Sequence, residues 1–129
     1  MSDVKRNESI SLLEACAAVP NLWTPRIVAQ VNDQYVKVAR VQGEFPWHQH
    51  DHEDEMFLVL KGALTIGRSA GDGGRLTLGA GEMFVVPRGV RHNTSATEET
   101  WIALVETVTT LHTGSEQTPM TRSIAEQLG

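Results

Sequence analysis

The middle of this 129-residue chain is a succession of short apolar or alternating segments, each closed by a turn. Period-two alternation runs through residues 34–41, where Val36 and Val38 alternate with Lys37, as in a half-buried strand. We predict further strands at 55–60, 63–67, 75–78, 83–86 and 101–106. Turn signals separate them at 32–33, 61–62, 71–74 and 79–81. Short strands joined by tight turns are typical of an all-β sandwich or barrel, which is the fold class that we predict.

The two ends of the chain predict short helices. The first is expected at 9–18, capped by Asn7 or Ser9 and ended by Pro20. Its apolar stripe would consist of Ile10, Leu12, Leu13 and Ala17. A second short helix is expected within 119–128. We therefore divide the chain into an N-terminal helical arm at 1–24, a barrel domain at 25–110 and a C-terminal tail at 111–129.

The predicted strand at 55–60 is apolar on both faces once Glu55 is set aside. Phe57 and Val59 share the parity of Glu55, so we expect them to face the interior. Met56 and Leu58 then face outward, and a strand that is apolar on both sides is covered on both sides. The N-terminal helix or a second subunit could supply this cover, and we predict a homodimer.

Charge and cysteine content limit the partners and the location. The formal net charge of −5 argues against nucleic acid, because phosphate binding requires a basic face. Arg88 and Arg91 could attract an anionic group, although solvated turn arginines are the ordinary interpretation. Cys16 is the single cysteine, so no internal disulfide can form, and we expect a buried, inert thiol. With no signal peptide and no apolar run of membrane-spanning length, we expect no membrane contact and a cytoplasmic location.

Three histidines and a glutamate supply the candidate chemistry. His48 and His50 are two residues apart, so on an extended strand both side chains leave from the same face. Glu55 opens the next predicted strand, and His92 follows a proline-glycine turn at 87–89. If these three segments meet in the fold, one divalent metal has four protein ligands.

These segments resemble the two sequence motifs of the cupin superfamily. The first motif, G-x5-H-x-H-x(3,4)-E-x6-G, corresponds to residues 43–62. The second motif, G-x5-P-x-G-x2-H-x3-N, begins at Gly81 and matches every fixed position through His92. A joint match of two spaced motifs is far more specific than a lone histidine pair.

The sequence departs from these motifs at two positions. Gly43 lies one residue too close to the first histidine, and Ala96 stands where the second motif ends in asparagine. Neither position is a ligand in the family. Residues 50–52 form a second His-x-His pair, but only the pair at 48–50 keeps the four-residue gap to Glu55 that the motif requires. We therefore prefer the pair at 48–50.

The resemblance implies a small single-domain cupin, a jelly-roll (double-stranded β-helix) barrel with a metal inside near one mouth. It implies as ligands His48, His50, Glu55 and His92. Three imidazoles and one carboxylate suit divalent Fe, Mn, Ni, Co or Zn, whereas calcium and magnesium prefer all-oxygen cages. In octahedral geometry, four protein ligands leave about two positions for waters or a substrate.

Other residues are candidates for the surroundings of such a site. Five aromatic residues are candidates for pocket walls, although each would serve equally as plain core: Phe45, Trp47, Phe57, Phe84 and Trp101. Tyr35 is a weak candidate for a hydrogen-bond donor into the pocket, and His52 for an acid–base group. We expect His112 to be a turn residue.

The resemblance does not define a reaction, because cupins host many functions. We expect first a metal-dependent enzyme that acts on a small organic substrate, by dioxygenase-like or by isomerase- or lyase-like chemistry. The alternative is a non-catalytic cupin that binds a small, sugar-like ligand. A structural barrel with a vestigial site is the third possibility.

Overall fold

A computed structural model describes residues 8–114 and 118–128 of the chain. Within these residues the fold is a sheet of seven antiparallel strands with two short helices and one 3-10 turn. The strands are β1 (Arg26–Val31), β2 (Gln34–Glu44), β3 (Glu55–Lys61), β4 (Ala63–Arg68), β5 (Leu76–Gly79), β6 (Met83–Val86) and β7 (His92–Thr107). The helices are α1 (Leu12–Ala17) and α2 (Ile124–Leu128), and the 3-10 turn is Ala70–Asp72. The predicted all-β class is confirmed.

Strand β7 is the centre of the sheet, whose order is β1-β2-β7-β3-β6, with β4 paired to both β7 and β5. The start of β7, His92 to Ser95, pairs with β4, and its later part pairs with β2 on one side and β3 on the other. The pairings do not close the sheet into a ring, but the arrangement is consistent with a jelly roll. The long strand β7 thus carries His92 at its start and pairs, through its later part, with β3, which carries Glu55.

The first half of β7 is a strand that the sequence did not predict. Residues 93–100 are polar except for Ala96 and lack an apolar alternation. Asn93 and Thr94 are nevertheless buried, because they lie between β4 and the segment that leads into the histidine pair. The Phe45 amide donates to the Thr94 carbonyl at 2.8 Å. Backbone pairing therefore builds this half of the strand without an apolar pattern.

The interior of the barrel is filled by apolar side chains of facing strands. They include Val41, Phe57, Val59, Leu64, Ile66, Val86, Ile102 and Leu104. Phe57 is 3% and Val59 0% exposed, which confirms the inward direction predicted for them. The alternation in β2 indicated that the valines face inward and Lys37 outward, and this was wrong. Lys37 lies on the inner face of β2 and is 1% exposed, whereas Val38 packs under helix α1.

Helix α1 covers the outer face of the sheet with a stripe that differs from the predicted one. Cys16 is fully buried with Val19 and Val38, and Leu12 and Ala15 pack beside them. Leu13 is 51% exposed, because the buried face of the helix runs through Leu12, Ala15 and Cys16. Its cap is the side chain of Ser11, which accepts from the Glu14 amide at 3.2 Å. Ser9 is therefore not the cap, and Asn7 lies outside the described residues.

Cys16 confirms the expectation of an inert thiol. Its Sγ donates to the Ala39 carbonyl at 3.2 Å, and burial raises the pKa of the thiol to about 11. The short C-terminal helix is also confirmed, as α2. None of the helices in the described part of the chain is long and apolar enough to cross a membrane. The boundaries of the arm, barrel and tail stay a prediction.

Candidate metal centre

Backbone hydrogen bonds bring the three histidines together at one end of the barrel. The amide of His48 donates to the carbonyl of His92 at 2.9 Å, and the amide of His92 donates back to His48 at 2.8 Å. The turn before His92 is joined to the same loop, because the Gly89 amide donates to the His50 carbonyl at 2.7 Å. The 48–50 segment is not part of a regular strand. These backbone hydrogen bonds fix its position against the residues that lead into β7.

The four predicted ligands form one buried cluster. His48, His50, Glu55 and His92 are each 5% exposed or less. One ligand atom from each of them can be chosen so that all four lie within 4.8 Å of one another. The Nε2 atoms of His50 and His92 both lie 3.3 Å from the same oxygen, Oε1 of Glu55. The structure thus brings together the residues that the motif spacing singled out.

In two of the rings, the outer nitrogen, Nδ1, is within hydrogen-bond distance of a backbone carbonyl. Nδ1 of His48 lies 2.8 Å from the Pro46 carbonyl, and Nδ1 of His92 lies 3.0 Å from the Val90 carbonyl. A carbonyl only accepts, so Nδ1 carries the proton in both rings. In a neutral ring Nε2 then keeps its lone pair and faces the cluster. Histidines that bind metals are held in this way.

His50 gives an independent reason to expect a cation at the cluster. Its Nδ1 is buried and makes no hydrogen bond within the described residues, and its buried Nε2 has only the 3.3 Å contact with Glu55. A buried polar atom without a partner costs about 1 to 3 kcal/mol, so native structures rarely keep one without a reason. A cation held by the cluster would satisfy one of these nitrogens.

The protonation states also fit a cation. Burial, followed by the nearby imidazole of His92, lowers the pKa of His48 to about 4, so this ring is neutral at pH 7. Burial alone would raise the pKa of Glu55, but the adjacent His50 and His92 rings outweigh it and hold the pKa well below its usual value. Imidazoles together with a carboxylate are the donor set that a borderline divalent metal prefers.

A second buried acid lies directly behind Glu55. Glu106 is its cross-strand neighbour on β7 and is 3% exposed. Burial, and then the charge of Glu55, raise the pKa of Glu106 well above its usual value, so its carboxyl O–H can donate to the Glu55 carboxylate. Nζ of Lys37 lies 2.6 Å from Oε1 of Glu106. Lys37 and Glu106 were not predicted from the sequence, because each has the pattern of an ordinary strand residue outside both motifs.

An open cleft with mostly apolar walls leads to the cluster. Its polar end is formed by His48, Glu55, Glu106 and His112. The remaining walls are Trp23, Pro25, Ala39, Val41, Phe45, Phe57, Thr94, Ile102 and Leu104. The rings of Trp23 and Phe45 stack with centroids 5.0 Å apart. The cleft therefore offers a flat apolar wall on one side and ionisable groups on the other.

Two of the five aromatic candidates line this cleft, Phe45 and Phe57. The other three lie outside the cleft lining. Trp47 is 43% exposed, and Trp101 packs on the outer face beside helix α1. Phe84 packs against the core and carries the guanidinium of Arg68 over its ring at 4.9 Å. Sequence parity alone could not separate these positions.

His112 lies in a turn, as expected, but it also lines the cleft. Its Nδ1 accepts from the Arg122 amide at 2.8 Å, so in the neutral ring Nε2 carries the proton. The ring centroid lies 5.0 Å from that of Phe45. Burial, followed by the charge of Lys37, lowers the pKa of His112 to about 4. The C-terminal segment therefore holds a neutral hydrogen-bond donor at the polar end of the cleft.

The remaining candidates lie outside the cluster. His52 is exposed, and Arg88 and Arg91 are exposed on the turn before His92. The guanidinium of Arg91 donates to the Trp47 carbonyl at 3.4 Å. Tyr35 does not line the cleft, and its ring centroid lies 5.8 Å from Nζ of Lys37.

Residues 35–115 match the family model that describes the cupin domain. This region is well over half of the chain, and it contains all four residues of the cluster. The chain therefore belongs to the cupin domain family.

The chain is also similar to solved structures and to a curated protein. A cupin-2 domain containing protein from Shewanella frigidimarina NCIMB 400 is 39% identical, with a TM-score of 0.71 over 76% of this chain and 93% of that one. Protein NMB1881 from Neisseria meningitidis is 28% identical, with a TM-score of 0.69 over 78% of this chain and 99% of that one. The uncharacterized protein YdbB of Bacillus subtilis (strain 168) is 37% identical over 67 residues, which are 52% of this chain. The match spans 58% of the length of YdbB.

Proposed function

We propose that this cupin is a metal-dependent enzyme that acts on a small organic substrate. In this proposal one divalent Fe, Mn, Ni, Co or Zn ion is bound by His48, His50, Glu55 and His92. The observation that carries it is the orientation of the rings, since carbonyls hold the outer nitrogens of His48 and His92. The inner nitrogens of His50 and His92 then both lie 3.3 Å from one carboxylate oxygen of Glu55. Donor atoms that converge in this way suit a single shared cation.

The chain's own residues define what the cleft would do to a substrate. Trp23, Phe45 and Phe57 exclude water from the approach to the cluster and favour an apolar or flat molecule. His112 offers an N–H to an acceptor oxygen of that molecule. A bound metal supplies a Lewis acid, or oxygen activation if the ion is iron.

Two reaction classes fit this site, and oxygen dependence separates them. The test uses protein loaded with Fe²⁺, Mn²⁺ or Zn²⁺ and a panel of catechols, 2-oxo acids and aldoses. Oxygen uptake with Fe²⁺ alone would assign dioxygenase-like chemistry. Turnover under nitrogen with Mn²⁺ or Zn²⁺ would assign isomerase- or lyase-like chemistry. We expect His92→Ala to lose either activity, whereas the exposed His52→Ala keeps it as a matched control.

The same panel tests the alternative, a cupin that binds a small ligand without reaction. Calorimetry on the wild type and on His92→Ala measures binding independently of turnover. Tight binding of a panel member that survives His92→Ala, with no turnover by the wild type, would contradict the enzymatic proposal. It would support a sugar-like or other small-ligand binding protein instead.

We further propose that the chain forms a homodimer through the outer face of β3 and β6. Met56 pairs with Val85, and Leu58 pairs with Met83. Helix α1 covers Leu60, but Val85 is 41% and Met83 49% exposed. A second copy would bury these side chains. A location in the cytoplasm stays a prediction.

A further inference from the structure

A chain of buried polar side chains connects the C-terminal helix to the candidate metal centre. Lys37 is 1% exposed, and its Nζ lies 2.6 Å from Oε1 of Glu106. On its other side Lys37 donates to Oε1 of Gln127 in helix α2. Nε2 of Gln127 in turn donates to the Arg122 carbonyl at 3.0 Å. Gln127 is itself 1% exposed, so this anchor is shielded from water along its length.

The chain of contacts ends on a proposed ligand. Glu55 and Glu106 are directly opposite in the β3–β7 register, and both are buried at the polar end of the cleft. Oε1 of Glu55 is the oxygen that faces His50 and His92, at 3.3 Å from each ring. The Glu55 carboxylate is therefore contacted from two directions, by imidazoles in front and by Glu106 behind.

Core stability does not explain this arrangement. The next cross-strand pair on the same face is apolar, since Leu104 of β7 lies opposite Phe57 of β3. Burying Lys37 and Glu106 removes two strongly hydrated groups from water, and an apolar pair of similar volume is often as stable or more stable. Their position against Glu55 gives the pair a role that an apolar pair cannot perform.

We propose that Glu106, anchored by Lys37 and Gln127, is a positioning residue that fixes the Glu55 carboxylate in its metal-binding orientation. This inference rests on the proposed metal site. Groups that orient a metal ligand from behind typically change metal affinity by about 10- to 100-fold when they are removed.

The test is a Co²⁺ titration, followed by calorimetry and by the visible absorption of the bound ion. We expect the double variant Lys37→Met/Glu106→Leu to bind Co²⁺ about 10- to 100-fold more weakly than the wild type, with an altered absorption spectrum. It should fold, because the buried pair is replaced as a unit by apolar side chains of similar size. Glu106→Gln should bind Co²⁺ with near wild-type affinity, since an amide at this position can donate to Glu55 and accept from Lys37.

A matched control separates positioning from general destabilisation. Glu99 lies on the same strand and pairs with Arg40 at 3.0 Å on the surface. We expect Glu99→Gln to leave both the affinity and the spectrum unchanged. Gln127→Leu removes only the anchor and should weaken Co²⁺ binding even if the double variant does not fold.

The outcomes distinguish this inference from the proposed function. Wild-type affinity and an unaltered spectrum in the folded double variant, or in Gln127→Leu, would overturn the positioning role and leave the metal site intact. A wild-type protein that binds no Co²⁺ would overturn both proposals.

Discussion

His50 and His52 are close in sequence, but the fold gives them opposite surroundings. His50 is 4% exposed in the cluster, with both ring nitrogens lacking a hydrogen bond within the described residues. His52 is exposed to solvent. The motif spacing had favoured His48 and His50 over His50 and His52, and the structure places only the favoured pair with Glu55 and His92.

This contrast predicts how single substitutions affect metal binding. We expect His50→Ala or His92→Ala to abolish stoichiometric binding of Zn²⁺ or Co²⁺, measured by elemental analysis after gel filtration. His52→Ala should retain about one ion per chain. The fold should change little, because the core is formed by apolar side chains on other residues. A His52→Ala variant that loses the metal as completely as His50→Ala would contradict the proposed ligand set.

At the scale of single residues, the sequence predicted the candidate ligands whose spacing the motifs fix. It did not predict the residues that strand pairing brings to the site. The four clustered residues were found because two motifs set their separations. Lys37 and Glu106 were missed because β2, β7 and β3 bring them to Glu55 only once the register is known. Lys37 was also placed on the wrong face, since an inward lysine breaks the ordinary polar-out alternation.

Among the elements, the segment that carries His48 and His50 depends on its neighbours for its position. Gly114 in the turn after β7 has φ +64° and lies close to this segment. A Cβ built at Gly114 would lie 2.1 Å from the carbonyl oxygen of Gln49, between the two histidines. Only glycine accommodates both the left-handed backbone and this close approach.

We therefore expect Gly114→Ala to displace the histidine segment. The left-handed backbone alone costs about 1 to 2 kcal/mol for alanine, and the contact with Gln49 adds to it. Thermal unfolding should show a lower midpoint, and Co²⁺ titration should show weaker binding. Gly74→Ala is the matched control, because Gly74 also has a positive φ, of 71°, but has open space around its Cβ position. It should lower stability without affecting Co²⁺ affinity once folded, and equal losses of affinity would contradict this account.

Strand β6 was predicted from sequence to the residue, whereas half of β7 was not. Met83 to Val86 is a compact apolar run between clear turns. Residues 93–100 have no such signal, because Ala96 is the only apolar residue among them and backbone pairing to β4 and β2 forms this part of the strand. The local apolar pattern thus identified strands whose side chains are buried. The full length of β7 could be recognised only from its pairing with other strands.

For the whole molecule, the outer face of β3 and β6 predicts the assembly state. We expect a dimer at micromolar concentration by analytical ultracentrifugation. Val85→Lys should weaken the dimer at least about 10-fold, since it places a charge in the centre of the apolar patch. Thr77→Lys on β5 is the matched control, because Thr77 is exposed but lies on a different part of the sheet. A monomeric wild type would contradict the proposed dimer.

The mutual hydrogen bonds between His48 and His92 have a consequence for how the protein would acquire its ion. Two of the proposed donors are tied together through their main chains, so the cage is assembled by folding and is ready before any cation arrives. Binding of the cation would therefore order little further backbone, in contrast to small domains that fold only around zinc. On this assignment, the identity of the resident ion depends on which metals the cell supplies and on which of them the geometry of the cage accepts. Protein purified from differently supplemented cultures would then carry different metals in the same cage.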